Sequence, residues 1–248
     1  MVSPFTVRLT FHGDLGFFLK RGTGTIIERQ LAEKTAVKDV IESCGIPHPE
    51  IDLILVGNQP VGFEYLLERE ADVSVYPISQ DRFIGFTENR LQTLQIKQFI
   101  ADCHLGKLVR NLRLLGLDVD YDPEGEDRQL LEAATIGHRA LLTRNRRLLM
   151  HAVVHHGYYL RSQDPLHQTM EVLRRFDLFT SLAPFTRCLR CNEPLEPVEK
   201  AKIIDRLDPL TKIYYEQFRR CSGCGQLYWP GSHFKKLEAR VSKLRQQT

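Results

Sequence analysis

Two Cys-x2-Cys pairs, Cys188/Cys191 and Cys221/Cys224, stand out among the residues able to do chemistry. Each short turn lets both sulfurs reach one ion at about 2.3 Å while its backbone amides offset the thiolate charge, so the four together suit tetrahedral zinc. Asn192 and Gly225 directly follow the two pairs and tolerate the left-handed backbone a knuckle needs. Four cysteines close the coordination shell, so this zinc is structural rather than catalytic. A second group offers oxygen: Asp102, Asp120, Asp122, Asp127 and the amide of Asn145. Hard cations such as Mg2+ or Mn2+ want such donors, and a metal held by carboxylates can activate water and stabilise charge developing on a phosphodiester. Asp127 reads equally as a helix N-cap and Asp122 as a turn residue, and for Asp120 and Asp122, both at the end of a strand, a role away from the metal is expected.

The elements that would position these groups follow from periodicity. Phe99-Ile100-Ala101 is a short apolar strand ending on Asp102, and Leu105, Leu108, Val109, Leu112 and Leu115 then recur at helical spacing until Gly116. Leu117–Tyr121 predicts a strand, Leu130, Leu131 and Ala134 a helix, and Ala140–Thr143 a third strand. A helix from about Arg146, a strand at Tyr158–Arg161 and a helix over Pro165–Phe176 complete the run. Strands alternating with helices at this spacing imply a mostly parallel sheet. Ligands bind such sheets at the carboxyl ends of the strands, where Asp102 and Asn145 fall. Cys103 alternates away from Asp102 and is expected in the core, while His104 could donate to a phosphate or serve structure.

Upstream, Thr6–Phe11 alternates as a strand with Gly22–Ile27 as its hairpin partner, and a helix is expected over Val37–Cys44. Ile51–Val56, a turn at Gly57-Asn58 and a strand at Val73–Pro77 follow. Strand, strand, helix, strand, strand in about 78 residues is the order of a β-grasp domain. The stretch VGNQPVGFEYLLEREADVSVYPIS resembles the ubiquitin-like sulfur carriers. Those carriers end in a free Gly-Gly, whereas this strand runs on through Ser79-Gln80-Asp81, so a docking or structural module that meets a protein partner is expected instead. Asp81–Lys97 reads as a polar connector.

The 248 residues are 42% hydrophobic, a globular composition that excludes a wholly disordered chain. No apolar run approaches a membrane span, and Arg8, His12 and Asp14 interrupt the first 20 residues, so a cytoplasmic protein without membrane contact is expected. Cysteines in such a compartment argue against a disulfide framework. Residues 1–80 hold seven Lys/Arg against eleven Asp/Glu, and the rest hold twenty-seven against twenty. An acidic first third joined to a basic remainder suits a nucleic-acid reader with a separate N-terminal module, though a solvated charged surface gives similar sums.

FIADCHLGKLVRNLRLLGLDVDYD, DRQLLEAATIGHRALLTRNRRLL, RCLRCNEPLEP and CSGCGQLYWPGSHF together resemble the Mut-seven C-terminal RNase family. The resemblance implies a ubiquitin-like β-grasp module over 1–80, a PIN-like, mostly parallel α/β domain over 98–180, and a zinc ribbon over 185–235 with a basic tail to 248. It implies a metal-dependent endoribonuclease in which Asp102 is the first-strand acid and Asp127 the acid of the helix, both binding Mg2+ or Mn2+. PIN-type domains usually carry Thr-x-Asp where this chain has Thr143-Arg144-Asn145. An amide oxygen can coordinate a metal but brings no charge, which leaves a non-catalytic RNA-binding or adaptor role open. Arg110, Arg113, Arg144, Arg146 and Arg147 flank these positions, where guanidinium groups hold an RNA backbone or form a solvated helix face. Tyr228, Trp229, His233 and Phe234 could stack on unpaired bases or pack against the nuclease domain. Lys235–Arg245 is expected to be an exposed basic helix end.

Overall fold

The computed structural model describes residues 4–20, 22–78, 88–93 and 96–246, without the side chains of 232, 233, 236, 240, 243, 245 and 246. Most of the connector expected over Asp81–Lys97 and the side chain of His233 therefore lie outside the described residues. The N-terminal elements are β1 (Phe5–Phe11), β2 (Ile26–Leu31), β3 (Thr35–Ala36), α1 (Val37–Ser43), β4 (Ile51–Val56), β5 (Gln59–Val61), β6 (Leu66–Leu67) and β7 (Ala71–Pro77). Then come β8 (Gln98–Ala101), α2 (Gly106–Leu114), β9 (Asp118–Tyr121), α3 (Asp127–Ile136), β10 (Ala140–Thr143), α4 (Arg146–Leu149), β11 (Gly157–Tyr159) and α5 (Pro165–Arg175). The C-terminal part holds β12 (Leu195–Val198), α6 (Pro209–Tyr214), β13 (Phe218–Cys221), β14 (Leu227–Tyr228) and α7 (Ser232–Gln246). The chain forms two compact units, one of residues 1–94 and 131–159, the other of 95–130 and 160–248. Among the described residues no helix is long and apolar enough to cross a membrane.

In the first unit five strands run in the order β2-β1-β7-β4-β5, with β1 parallel to β7 and the other neighbours antiparallel. That mixed sheet with α1 against it is the β-grasp arrangement expected from the order of elements. Phe5, Val7, Leu9 and Phe11 alternate inward along β1 and meet Val37, Val40 and Ile41, which share one face of α1. The hairpin partner begins later than expected, at Ile26 rather than Gly22. Gly22 and Gly24 take φ of +85° and +48°, and the 3-10 helix Gly13–Phe18 buries Leu15 and Phe18 in the intervening space. β10 and β11 pair in parallel in this unit. The imidazole of buried His48 lies 2.7 Å from Glu42 and 2.6 Å from the Val154 carbonyl. Glu50 accepts from the Tyr159 N–H at 2.6 Å, so the 131–159 segment is bonded to the end of α1 and the start of β4.

In the second unit β8 and β9 pair in parallel, joined by α2, whose Leu108, Val109 and Leu112 are buried. β12, β13 and β14 form a small antiparallel sheet. Among the described residues its apolar cluster has four buried members, Ile203, Leu207, Phe218 and Leu227. The tail is not a wholly exposed helix: Val241 and Leu244 of α7 are buried, three residues apart on one face. β11 ends two residues before the predicted boundary, with Leu160 buried beyond the ladder.

The two parallel strands of this unit depend on one glycine. Gly116 ends α2 at φ +87°, and a Cβ there would lie 2.1 Å from the Ala183 carbonyl oxygen. Gly116→Ala therefore combines a left-handed backbone with a backbone collision, and an unfolding cost of about 3 kcal/mol or more is expected. A urea midpoint close to that of the unaltered chain would contradict this packing.

Candidate metal centres

The first knuckle begins where the chain leaves α2. Phe185 and Ala183 donate to the carbonyls of Leu114 and Leu115, fixing the segment that leads to Cys188. The Cys188 N–H bonds to Glu193 O at 2.8 Å and the Asn192 N–H to Cys188 O at 3.1 Å, with Asn192 at φ +72°. The second knuckle repeats the pattern: Cys221 N–H to Gln226 O at 2.9 Å, Gly225 N–H to Cys221 O at 3.2 Å, Gly225 at φ +69°. Both left-handed positions are those expected from the residue types.

These turns bring all four sulfurs within 4.8 Å of one another. The Cys188–Cys224 and Cys191–Cys221 pairs stand at 3.6 and 3.3 Å, not bonded as disulfides. A tetrahedral ion with bonds of about 2.3 Å holds its sulfurs about 3.8 Å apart, so the cluster could take one with a small expansion. Burial pushes the Cys191 thiol up, but hydrogen bonds from the Glu193 backbone and from Cys221 and Cys224 outweigh it and bring the pKa down to about 6. Burial leads in pushing Cys221 up to about 12. Thiols so crowded cannot all ionise on their own, and a bound cation would remove that conflict.

The knuckle is also tied to the parallel strands. Asn192 donates to Asp118 at 2.7 Å and accepts the Val119 N–H at 3.1 Å. Arg113, 3% exposed, donates to the carbonyls of Val119, Leu189 and Arg190. The expectation that Arg113 contacts RNA is therefore corrected: its guanidinium is consumed inside the protein, because α2 turns this position toward β9 and the first knuckle.

The acidic centre sits at the carboxyl end of β8. Asp102 is 9% exposed and caps the 3-10 turn Cys103–Leu105, accepting the His104 N–H at 3.3 Å. Cys103 departs from the expected core position. It is half-buried, and its sulfur lies 3.4 Å from Asp102 and 3.7 Å from the His104 ring, so the three side chains form a second cluster with donor atoms within 4.8 Å. Burial first, and then Asp102 and Asp127, push the Cys103 thiol up. Asp127 is exposed in the first turn of α3 and adds a weaker charge effect on the same thiol; the cluster of close donor atoms is Asp102, Cys103 and His104. Tyr121 donates to Cys103 O at 2.7 Å and locks the end of β9 to this turn. Neither Cys103 nor Tyr121 carried a sequence signal beyond its neighbourhood to Asp102 and Asp122. Asp122 accepts from Glu124 N–H, the local role expected of a turn residue, and Asp120, within β9, accepts from Tyr121 N–H.

Asn145 lies in the other unit. It caps α4, its side-chain oxygen accepting Arg147 N–H at 3.1 Å and its own N–H donating to Thr143 Oγ1 at 2.9 Å. Arg146 is withdrawn from the expected RNA contacts: it donates to Phe18 O at 2.7 Å and lies 5.2 Å above the Phe18 ring. Arg110 and Arg147 are exposed, and Arg144 is half-buried.

No curated protein and no solved structure showed a significant match to the chain. Family comparison matched residues 5–82 to the Mut7-C ubiquitin domain, the span of the five-stranded mixed sheet. Residues 97–241 matched the Mut7-C RNAse domain, a span that opens at β8, takes in Asp102 and Asp127, and holds all four clustered cysteines. With that match covering more than half of its length, the chain belongs to the Mut7-C RNAse domain family.

Proposed function

We propose that this protein is a metal-dependent endoribonuclease that hydrolyses RNA phosphodiesters at an Asp102–Asp127 centre. The observation that carries the reading is the match to the Mut7-C RNAse domain over a span that holds Asp102 at the carboxyl end of a parallel strand and Asp127 in the first turn of α3. Asp102 and Asp127 would hold one Mg2+ or Mn2+, which supplies an activated water and charge compensation on the phosphate. The protein's own part is to orient. Asp102 is fixed by the turn it caps, Tyr121 pins the backbone of that turn, and Arg110, Arg144 and Arg147 hold phosphates. Cys188, Cys191, Cys221 and Cys224 would take zinc as a closed structural site. The same reading divides the chain into a ubiquitin-like module over 1–80 that meets a protein partner, a PIN-like domain over 98–180 and a ribbon over 185–235. It assigns the protein to the cytoplasm, where paired thiols stay reduced.

Asn145 enters through its motif, Thr143-Arg144-Asn145, and its test is direct. Asp caps helices as well as Asn, so Asn145→Asp keeps the bond to Arg147 while adding a charge. Zinc-loaded protein should leave labelled RNA intact until Mn2+ or Mg2+ is added, then release 5′-phosphate and 3′-hydroxyl ends. Asn145→Asp should reach half-maximal rate at a lower Mn2+ concentration, by about tenfold for one added carboxylate. Cleavage without added divalent ion would refute the proposal. The engagement of the Asn145 oxygen as a helix cap favours the second reading, a binding protein with a lapsed centre. Binding without cleavage in both forms would establish that one.

A further inference from the structure

A concavity of about 1370 Å³ lies wholly in the second unit, between the ribbon and α2. Its apolar lining mixes leucines and prolines with rings, among them Phe185, Tyr214, Trp229 and Phe234. Phe185 and Phe234 stand 4.6 Å apart, and Tyr214 is 72% exposed at the end of α6. Phe185 holds φ +63°, a backbone conformation costly for a bulky residue and one that the fold maintains through its bonds to Leu114 O and from Arg219. Such strain persists where the surroundings over-determine it, and functional surfaces are where it gathers.

Charge decides what such a trough would hold. Its acids, Glu199 and Glu216, are paired with Lys202 and Lys200. Arg110 and Arg219 line it as exposed cations. An unpaired strand of RNA uses both kinds of group, the exposed Tyr214 and the half-buried rings for bases and the arginines for phosphates. Arg110 lines the trough from α2, the helix that follows the turn capped by Asp102.

We infer that this trough is a single-strand RNA channel of the ribbon, stacking bases on Tyr214, Trp229 and the Phe185–Phe234 pair, and that Arg110 passes the backbone toward Asp102. The inference deepens the nuclease reading and rests on it for the direction of travel: it makes the substrate an unpaired strand.

Trp229 is the single tryptophan of the chain, so its emission reports directly on the trough. Full-length, zinc-loaded protein carrying Asp102→Ala, with no Mg2+ or Mn2+, would be titrated with a short oligouridine, alone or annealed to oligoadenosine. Saturable quenching by the single strand and none by the duplex is expected. Tyr214→Ala, at an exposed position that does not threaten folding, should weaken binding about fivefold to a hundredfold, the range for one lost stacking contact. Arg110→Ala should flatten the dependence of affinity on salt. Equal quenching by duplex, or affinity indifferent to Tyr214→Ala, would overturn the channel even if cleavage persists elsewhere. Quenching with the Tyr214 dependence but no cleavage by the unaltered chain in Mn2+ would support the channel and remove the nuclease reading. A Tyr214-dependent dimer by light scattering that excludes the oligonucleotide would assign the trough to a second copy instead.

Discussion

Replacing Asp102 with Asn should lower Mn2+-dependent cleavage of RNA by about a hundredfold to a thousandfold while leaving the fold in place. Asn removes the charge but retains a side-chain oxygen able to cap the Cys103–Leu105 turn through His104 N–H, so loss of the cap, worth about 1 kcal/mol, is avoided. On the proposed reading the rate loss would follow from stripping one of two carboxylates from an ion that would stabilise several kcal/mol of developing charge. A readout independent of turnover comes from Cys103. Burial raises its thiol first, and the Asp102 carboxylate adds to the rise, so Asp102→Asn should bring the thiol pKa down. Alkylation of Cys103, followed by peptide mass at fixed pH, should then run faster in the variant. Unchanged cleavage together with unchanged alkylation would remove Asp102 from the centre altogether.

Why some of this was legible in the sequence and some was not has a physical explanation. β4 falls at Ile51–Val56 and β10 at Ala140–Thr143, as periodicity predicted, because short, mainly apolar runs bounded by turn residues leave few competing conformations. The knuckles were legible because ligand spacing and left-handed backbone are both written in residue type, as Asn192 and Gly225 show. The hairpin partner of β1 was not, since Gly22–Ile27 alternates acceptably and only the packing of Leu15 and Phe18 delays the strand to Ile26. Arginines were the least legible. Arg110 and Arg113 sit one turn apart on α2 with the same formal chemistry, yet one is exposed and the other closes three carbonyls inside the protein. That choice depends on where β9 and the first knuckle lie, which no local pattern encodes. Cys103 was misplaced because strand alternation was extended one residue too far, into a turn that carries its sulfur back to Asp102.

Removing zinc should unfold the ribbon and loosen what it is bound to. Among the described residues the apolar cluster beneath β12, β13 and β14 has four buried members with Val198, Tyr215 and Trp229 packed against them, a small core for a ribbon of about 50 residues, and segments of that size commonly lean on a metal. Structural zinc contributes about 10–16 kcal/mol of apparent binding free energy near neutral pH, all of it available to folding where no site exists in the unfolded chain. The loss should travel. Leu189 and Arg190 would no longer accept from Arg113, leaving part of a buried guanidinium without partners, and Asn192 would release Val119 N–H and Asp118. Those contacts lie between the knuckle and the strand that ends at Tyr121, whose hydroxyl pins the Asp102 turn. Chelation should therefore shift Trp229 emission to the red, expose the Val119 amide to hydrogen exchange, and abolish cleavage even when Mn2+ is restored. Readdition of one zinc per chain should reverse all three. Cys191→Ser tests the same linkage without a chelator: three thiolates bind more weakly, and a lower melting temperature that rises with zinc concentration is expected. If the metal-free chain kept its Val119 protection and its Trp229 emission, the four sulfurs would be bystanders and the ribbon would owe its order to packing alone.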